Sequence, residues 1–297
     1  MNDSVDIVIP AYNEGSERVA VTVDACLYQT YPIKNIFVVD DGSTPPLALP
    51  SRILSNETVK LLRTPDNNGQ AAARNVGLSN SRAKYLASVD VEVVLAPDWL
   101  ESCLAYLKDN PHVGACCTRI KNYNGLSLLT RWRMRFLEQR YEHRAGSGEV
   151  ETCTGHAILF RRAGLEEVGG YNEKYIGVFD DADICLRLKD KGYTSHVVEG
   201  THATYLQDDT LPLLARKTLR NSGWALKPKY TINPTLRPIR ITSLAANQTY
   251  WLLHRMGRNL FKLRLSFLPI DLAVWAYALR IGWEASKNFK QLEPVKE

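Results

Sequence analysis

Short apolar runs alternate with stretches of helical periodicity over the first 120 residues, and this alternation constrains the fold more than any other feature. The apolar runs are rich in β-branched residues and predict strands at residues 5–9, 36–39, 59–62, 85–89 and 113–118. Helices are predicted at residues 16–29, 70–79 and 97–109, the last with Pro97 in its first turn. This order predicts an α/β fold in which helices cover both faces of a mostly parallel sheet.

The same alternation resumes after residue 150. Strands are predicted at residues 153–160 and 193–198, and helices at residues 161–168 and 180–191. Beyond Thr201 the pattern becomes helical and basic.

Charge and cysteine content narrow the class of protein. Residues 1–230 are close to neutral, which argues against a nucleic-acid surface, whereas residues 231–297 carry ten Lys/Arg and four Asp/Glu. The six cysteines lack metal-ligand spacing, and we expect them to be buried free thiols in a reducing compartment. Since the first residues lack a basic segment followed by an apolar one, we expect no secretory signal.

Polar segments follow three of the predicted strands, where the ligands of such sheets bind. They are Pro10–Gly15 (PAYNEG), Asp40–Thr44 (DDGST) and Asp90–Glu92 (DVE). Each alone could be a turn or a helix cap, but a carboxylate there can also accept hydrogen bonds from a nucleobase or a ribose. If the strand end stays extended, Asp90 and Glu92 point the same way and can share one Mg²⁺ or Mn²⁺.

A fourth segment, residues 67–77 (NNGQAAARNVG), combines small residues with a single cation. The small residues suit close packing of a helix on the sheet. Arg74 could form a surface salt bridge, or its guanidinium could lie near a nucleotide diphosphate.

In their order and separations, the segments PAYNE, VVDDGST, NNGQAAARNVGL and DVE resemble the family 2 glycosyltransferases, whose catalytic domain has the GT-A fold. The resemblance continues in residues 154–162, 168–171 and 179–187, and covers about residues 5–205. It implies a hexosyltransferase-type enzyme that moves a sugar from a nucleotide-diphospho-sugar to an acceptor hydroxyl, with inversion.

The resemblance implies a nucleotide-sugar-binding site. Asp41 matches the aspartate that reads the base, and Arg74 would lie beside the nucleotide. The other residues expected to bind the donor are Pro10, Ala11, Tyr12, Glu14, Asp90 and Val91.

A metal site is implied beside the donor. Glu92 matches the metal-binding position of the DxD motif, and His202, expected to follow a strand, matches a histidine that reaches the metal in similar enzymes. The family's usual acid at position 92 is Asp, and glutamate moves the carboxylate by about a bond length. The expected cofactor is Mg²⁺ or Mn²⁺, with a metal-independent variant and a structural role for His202 left open.

The acids at 180–183 match the family's ED-x-D element, with Asp180 in place of Glu. Asp181 matches the catalytic base, because an attacking hydroxyl needs a carboxylate within hydrogen-bond reach. Gly155, His156 and Asp180 are expected to bind the acceptor. The alternatives are a core position for His156 and helix capping for Asp180 and, more so, for Asp183.

We therefore expect a GT-A catalytic domain at residues 1–230, with a nucleotide-sugar-binding half at 1–120 and an acceptor-binding half at 121–230. Residues 231–297 are expected to form a basic, amphipathic helical extension. Within residues 121–145, Lys/Arg and aromatic residues favour an amphipathic helix that covers the sheet, with a lid role for a few of them.

Residues 265–283 are apolar but contain Asp271 and Arg280, and each charge at a bilayer centre costs about 2.5–3.5 kcal/mol. The extension is therefore expected to touch an anionic leaflet peripherally, or to pack as a lid or a dimer interface. We expect a cytoplasmic enzyme, either free or peripheral on the inner face of the cell membrane. Its expected acceptor is a saccharide or a lipid-linked acceptor in cell-surface polysaccharide or glycolipid synthesis. The rival functions are a sugar-nucleotide-binding protein and a nucleotidyltransferase.

Overall fold

Every strand predicted in the first 120 residues forms. The computed structural model describes residues 3–122, 127–137, 146–175, 179–206, 209–219 and 241–288. The chain forms two units, residues 1–123 with 141–206 and residues 124–140 with 207–297. The predicted domain boundary at residue 230 lies outside the described residues, and that boundary and the division at residue 120 stay predictions.

The first unit is built around a nine-stranded sheet. Its strands are β1 (Val5–Ala11), β2 (Asn35–Asp41), β3 (Val59–Thr64), β4 (Tyr85–Val89), β5 (Val93–Leu95), β6 (Val113–Asn122), β7 (Gly148–Val150), β8 (Ala157–Arg161) and β9 (Thr194–Tyr205). Their order is β3-β2-β1-β4-β8-β6-β9-β5, with β7 paired to β9. Strands β3, β2, β1 and β4 are parallel, as is the β6–β9 pair, whereas β8, β5 and β7 run antiparallel to their neighbours.

Helices lie on both faces of this sheet, which confirms the predicted fold class. They are α1 (Ser16–Leu27), α2 (Ser51–Leu54), α3 (Gln70–Asn80), α4 (Trp99–Asp109), α6 (Arg162–Glu167) and α7 (Asp180–Asp190). Helix α5 (Leu128–Leu137) belongs to the second unit. Side chains of β1 alternate between two buried clusters, as period 2 requires. Ile7 and Ile9 pack with α1, α2 and α4, whereas Val8 packs with α3, α6 and α7.

Three predicted elements differ from the structure. Helix α4 begins at Trp99, so Pro97 precedes the helix instead of lying in its first turn. Residues 153–156 are not part of β8. Strand β9 continues to Tyr205, because its polar segment, residues 199–201, forms a bulge and does not end the strand. Val198 pairs with Thr118 of β6, and the next pair joins His202 to Arg119.

Small residues hold α3 against β1, as the sequence predicts. Ala71 and Ala73 are buried, and a Cβ atom on Gly77 would lie 2.4 Å from both methyl groups of Val8. This close contact fixes the position of the helix that starts beside the carboxyl ends of the strands.

The second unit is helical. It contains α5 (Leu128–Leu137), α8 (Leu211–Leu219), α9 (Ile241–Phe261), a 3₁₀ turn (Leu265–Phe267) and α10 (Leu268–Asn288). Trp132 of α5 packs in its core with Leu214, Ile270 and Val274. The predicted helix within residues 121–145 therefore forms, and its cover of the sheet and its lid role stay predictions.

A buried polar network links three helices of this unit. Asp271 accepts hydrogen bonds from Trp132 Nε1 at 2.8 Å and Asn259 Nδ2 at 2.7 Å, and pairs with Arg255 at 3.3 Å. Burial raises the pKa of Asp271, and burial lowers the pKa of Arg255. A second pair, Arg133 with Asp209, is fully buried at 2.5 Å.

All six cysteines are free and buried, as expected from their spacing. Among the residues that the structure describes, no helix is both long and apolar enough to span a bilayer.

Replacing Gly77 with alanine should destabilise the protein by about 1–3 kcal/mol, because the new methyl group overlaps Val8 and α3 must shift. Gly257→Ala is the matched control: nothing lies within 4 Å of its Cβ position on α9, and it should gain up to about 1 kcal/mol from helix propensity. Urea unfolding followed by circular dichroism measures both. Equal stability of the two variants would contradict the close packing.

Candidate active site

The candidate site lies at the edge of the sheet where β1, β2 and β4 end. Strand β8 runs antiparallel to β4, and Val89 faces Ala157. The segment that precedes β8 therefore reaches the same edge, and the backbone N–H of Asp90 donates to the carbonyl of His156 at 2.9 Å. The topology thus brings together segments that are far apart in the sequence.

Asp41, at the end of β2, is buried against the start of α3. Its carboxylate accepts hydrogen bonds from Thr64 Oγ1 at 2.9 Å and from the backbone N–H groups of Asn68 at 3.1 Å and Gly69 at 2.7 Å. A carboxylate in this place stabilises the positive end of the helix. The structure thus gives Asp41 a capping function, and its contact with a base stays a prediction.

Asp40, its neighbour, has a different environment. It accepts hydrogen bonds from the backbone N–H groups of Ser43 and Leu47, each at 3.0 Å, and pairs with Arg63. Burial opposes ionisation of Asp40, but these donors outweigh it and hold its pKa below the usual value. Asp40 therefore fixes the loop after β2.

The loop after β1 is tied to the loop after β2. The Asn13 backbone N–H donates to Ser43 Oγ at 2.8 Å, and the side chain of Asn13 accepts from Thr44 N at 2.9 Å. Of the residues predicted to line the base, Pro10 and Ala11 are buried within β1, whereas Tyr12 is 45% exposed. Tyr12 is therefore the side chain of this group that a ligand can reach.

Arg74 joins four parts of the site. It is 2% exposed, donates through Nε to Ser88 Oγ at 2.8 Å, pairs through Nη2 with Asp90 at 2.7 Å, and pairs through Nη1 with Asp180. The same Nη2 lies 3.5 Å from the carbonyl of Gly155. Burial alone would lower the pKa of Arg74, but the two carboxylates raise it, so the guanidinium stays charged.

Arg74 is not a surface cation, because its donors are used inside the protein. Its place beside a nucleotide stays a prediction. Asp180, expected to bind the acceptor, is 4% exposed and bonded to Arg74, so it holds α7 in place instead of facing a pocket. Asp183 lies in the first turn of α7, as the capping alternative has it, and pairs with Arg187 at 2.6 Å.

Asp181 is half-buried and held by backbone groups. Its Oδ2 accepts from Gly155 N at 2.9 Å and its Oδ1 from Ala182 N at 2.9 Å. A Cβ atom on Gly155 would lie 3.2 Å from Asp181 Oδ2, so glycine allows this close approach. Phe179, which caps α7, has a left-handed φ of 67°, a strained conformation of the kind that clusters at functional sites.

The extended strand end that was assumed for Asp90 and Glu92 does not form. Strand β4 ends at Val89, and Glu92 has a φ of 69°, so the period-2 argument fails. Asp90 Oδ1 accepts from Arg74 and from Gln70 Nε2 at 2.7 Å. Glu92 instead pairs with Arg18 of α1, which also lies 3.3 Å from Glu14.

His202 was expected after a strand, but it lies within β9. Pairing of β5 with β9 matches Val93 to Tyr205 and Leu95 to Ala203, so Glu92 and His202 flank opposite ends of this ladder. Four residues of extended chain separate them, about 13 Å. Burial and the neighbouring Lys121 lower the pKa of His202. The metal contact of His202 stays a prediction.

His156 lies beside the end of β4, with its ring 5.0 Å from the Tyr205 ring in an edge-to-face contact. It is half-buried, so the structure is compatible with both the pocket-wall and the core alternatives.

The donors for a metal are carboxylates, the right chemistry for Mg²⁺ or Mn²⁺. Within the described ranges, no group of three His, Cys, Asp or Glu side chains gathers in metal-ligand geometry. Asp90 Oδ2 accepts no hydrogen bond from the described residues, so Asp90 and Glu92 could supply two ligands. Mg²⁺ is commonly held by one or two carboxylates together with substrate phosphates, and the residues present fit that arrangement.

Sequence reasoning missed Arg18, Gln70 and Ser88 as parts of this site. Gln70 and Ser88 lie inside motifs that were recognised, so their contacts follow once the fold is known. Arg18 had a local signal, its i,i+4 spacing from Glu14, but nothing in the sequence indicated that it reaches Glu92.

Arg74→Ala should cost about 3–5 kcal/mol of stability, because Asp180 would be left buried without its partner. Arg52→Ala is the control: Arg52 also pairs with two carboxylates, Glu17 and Asp24, but its side chain is 51% exposed. That loss should be much smaller, because solvent screens an exposed ion pair. Denaturant unfolding of both variants checks the difference, and equal losses would remove the case for a buried ion-pair centre.

The chain was compared with curated proteins. It is 25% identical over 299 residues to an N-acetylglucosaminyltransferase of Rhizobium sp. (strain N33), covering 94% of this chain and 64% of that protein. It is 27% identical over 271 residues to a pre-mycofactocin glycosyltransferase of Mycobacterium tuberculosis, covering 87% of this chain and 54% of that protein. The chain thus spans about half to two thirds of the length of these relatives.

Among solved structures, a mannosyltransferase from Pyrobaculum calidifontis in complex with GDP-Man and Mn²⁺ matches with a TM-score of 0.61. The identity is 18%, over 94% of this chain and 87% of that chain. This likeness shows the fold, in agreement with the expected GT-A class. The model of glycosyl transferase family 2 matches residues 6–169, which is more than half of the chain, and the chain therefore belongs to that family.

Proposed function

We propose that the chain is a nucleotide-sugar-dependent glycosyltransferase whose active site lies around Arg74. One observation carries the proposal: Arg74 bonds to Asp90 after β4 and to Asp180 of α7, while Gly155 bonds to Asp181. Gln70 of α3 links this group to the α3 terminus that Asp41 caps. A donor side and an acceptor side are thus joined in one hydrogen-bonded assembly.

Asp181 is the proposed general base. Two backbone N–H groups orient its carboxylate, and the residue keeps access to solvent because it is only half-buried. It takes the proton of the acceptor hydroxyl while the hydroxyl oxygen forms a bond to the anomeric carbon. The bond from that carbon to the diphosphate oxygen breaks on the opposite side, so the configuration inverts.

The donor side of the proposal comprises Tyr12, Asp41 and the first turn of α3. The exposed ring of Tyr12 suits the face of a base, and Asp41 lies at the end of the neighbouring strand. Asp90 and Glu92 would hold Mg²⁺ or Mn²⁺, which when bound neutralises the charge of a diphosphate. His202 of strand β9 stays a further candidate ligand for that metal.

The proposed acceptor is a saccharide or a lipid-linked saccharide, met by the segment before β8 with Gly155 and His156. The name of the rhizobial relative supports a role in carbohydrate assembly. We further propose a cytoplasmic enzyme that contacts the inner face of the cell membrane through its C-terminal helices. Cell-surface polysaccharide or glycolipid synthesis would supply such an acceptor.

The two rival functions make different demands. A nucleotidyltransferase generally needs a glycine-rich loop with a lysine directly after the first strand, and PAYNEGSER has neither. A protein that only binds a sugar nucleotide has no use for Asp181, which Gly155 and Ala182 orient. Measured sugar transfer would distinguish an enzyme from a protein that only binds a sugar nucleotide.

Asp181→Asn should reduce sugar transfer by about 10²–10⁴-fold, the usual contribution of a general base, while donor binding is retained. The amide can still accept the Gly155 hydrogen bond, so the fold should survive. Asp183→Asn, two residues along α7, is the control and should keep transfer. Release of nucleoside diphosphate in the presence of acceptor measures the rates. Full transfer by the Asp181 variant would show that another group is the base.

Of UDP, GDP and dTDP, we expect one to stabilise the protein by about 2.7 kcal/mol at a hundred times its Kd, and more strongly with Mn²⁺. Glu92→Gln should remove most of the Mn²⁺-dependent part and keep metal-free binding. Glu167→Gln, an exposed glutamate on α6, should change neither. Thermal-shift titrations provide the readout. A Mn²⁺ effect that survives in the Glu92 variant would exclude this carboxylate as a ligand.

A further inference from the structure

The turn between α9 and α10 exposes an unusual concentration of large apolar side chains. Phe261 is 88% exposed, Leu263 84%, Leu265 58% and Leu260 50%. These four residues lie within six consecutive positions, and we call them the apolar tip. Exposed apolar residues in such a group mark a surface that meets something other than water.

The apolar tip is separate from the buried faces of the two helices. The opposite face of α9 is buried at Leu252, Arg255 and Asn259, and α10 is buried at Ile270 and Val274. These faces hold the core contacts and the Asp271 network. The apolar tip is an additional surface beyond that core.

The backbone of the turn also has an unfavourable conformation at one residue. Leu263 has a φ of 51°, at a helix end where glycine or asparagine is usual. The turn is closed by hydrogen bonds from Leu263 N to Leu260 O at 3.0 Å and from Arg264 N to Asn259 O at 2.7 Å. The chain therefore bears backbone strain and apolar exposure at the same residue, which points to a function for Leu263.

Cations surround the apolar tip. Arg258 and Lys262 are exposed, and Arg264 is half-buried. In residues 241–280 the sequence has one acidic residue, Asp271, and it is fully buried. The surface of this region thus combines apolar side chains with positive charge, and among its described side chains no carboxylate is exposed.

We propose that the apolar tip inserts into the headgroup region of an anionic bilayer, with Arg258, Lys262 and Arg264 against the lipid phosphates. Apolar side chains flanked by cations are the pattern of interfacial membrane binding. A second copy of the chain fits less well, since a two-fold contact would set each patch against itself and bring like charges together. The inference assigns residues to the peripheral membrane contact proposed above, and its test does not depend on sugar transfer.

Co-sedimentation with vesicles tests the apolar part. We expect the full chain to bind phosphatidylcholine vesicles that contain about one third phosphatidylglycerol, and to bind much less to phosphatidylcholine alone. Phe261→Ser with Leu263→Ser should weaken binding by about tenfold or more, because two apolar side chains that would enter the bilayer are lost. Tyr28→Ser with Leu54→Ser is the matched control and should leave binding unchanged. Tyr28 directly follows α1 and is 78% exposed, and Leu54 on α2 is 49% exposed.

A second set of variants tests the cations around the apolar tip and leaves the apolar side chains in place. Arg258→Gln with Lys262→Gln should weaken binding to the anionic vesicles and reduce its dependence on salt. Lys60→Gln with Lys191→Gln removes two exposed cations of the first unit and should have no effect. Circular dichroism shows that each variant is folded.

Three results would overturn the proposal. They are no vesicle binding by the wild-type chain, undiminished binding by both tip variants, and a wild-type dimer that only the Phe261/Leu263 variant converts to monomer. Nucleoside diphosphate titration of the same variants keeps the two proposals apart. A variant that binds nucleotide normally but no longer binds vesicles would show that the tip acts separately from the active site. Loss of nucleotide binding with normal vesicle binding would bear on the active-site proposal and leave the membrane proposal standing.

Discussion

The ion pairs of Arg74 are the interaction on which the first unit depends. A guanidinium that is 2% exposed must be paired, and here Asp90 and Asp180 pair it from two separate segments. Charge balance therefore couples the end of β4 to the start of α7. Asp181 takes its position from this coupling, because it follows Asp180 directly and bonds to Gly155, whose carbonyl lies near Arg74.

Much of this arrangement could be predicted from the sequence, for physical reasons. Buried parallel strands read as apolar runs, and ligands bind at their carboxyl ends, so the motifs were expected at one edge. The structure agrees for the segments that contain Asp41, Arg74, Asp90 and Asp181. Burial was harder to predict: Arg74 and Asp180 look like ligand-binding residues in the sequence, yet they bind each other.

Local backbone conformation limited the other predictions. The period-2 argument for Asp90 and Glu92 assumed an extended strand end, and a left-handed residue at position 92 removes that assumption. For His202, the polar segment around Gly200 resembles the end of a strand, but it is a bulge. His202 therefore lies within β9 and not after it. Both cases involve a positive φ, at Glu92 and at Gly200. A positive φ is uncommon for glutamate, so nothing in the sequence indicated the turn at position 92.

The second unit is assembled from two separate stretches of the chain, and this has a consequence for dissecting the protein. Helix α5 precedes β7 in the sequence, but its Trp132 and Arg133 are bonded to Asp271 and Asp209, which follow residues 141–206 of the first unit in the sequence. A truncated chain that stops at residue 206 would keep a tryptophan and an arginine whose polar partners have been cut away. Excising the C-terminal helices cleanly would therefore require redesigning α5 as well.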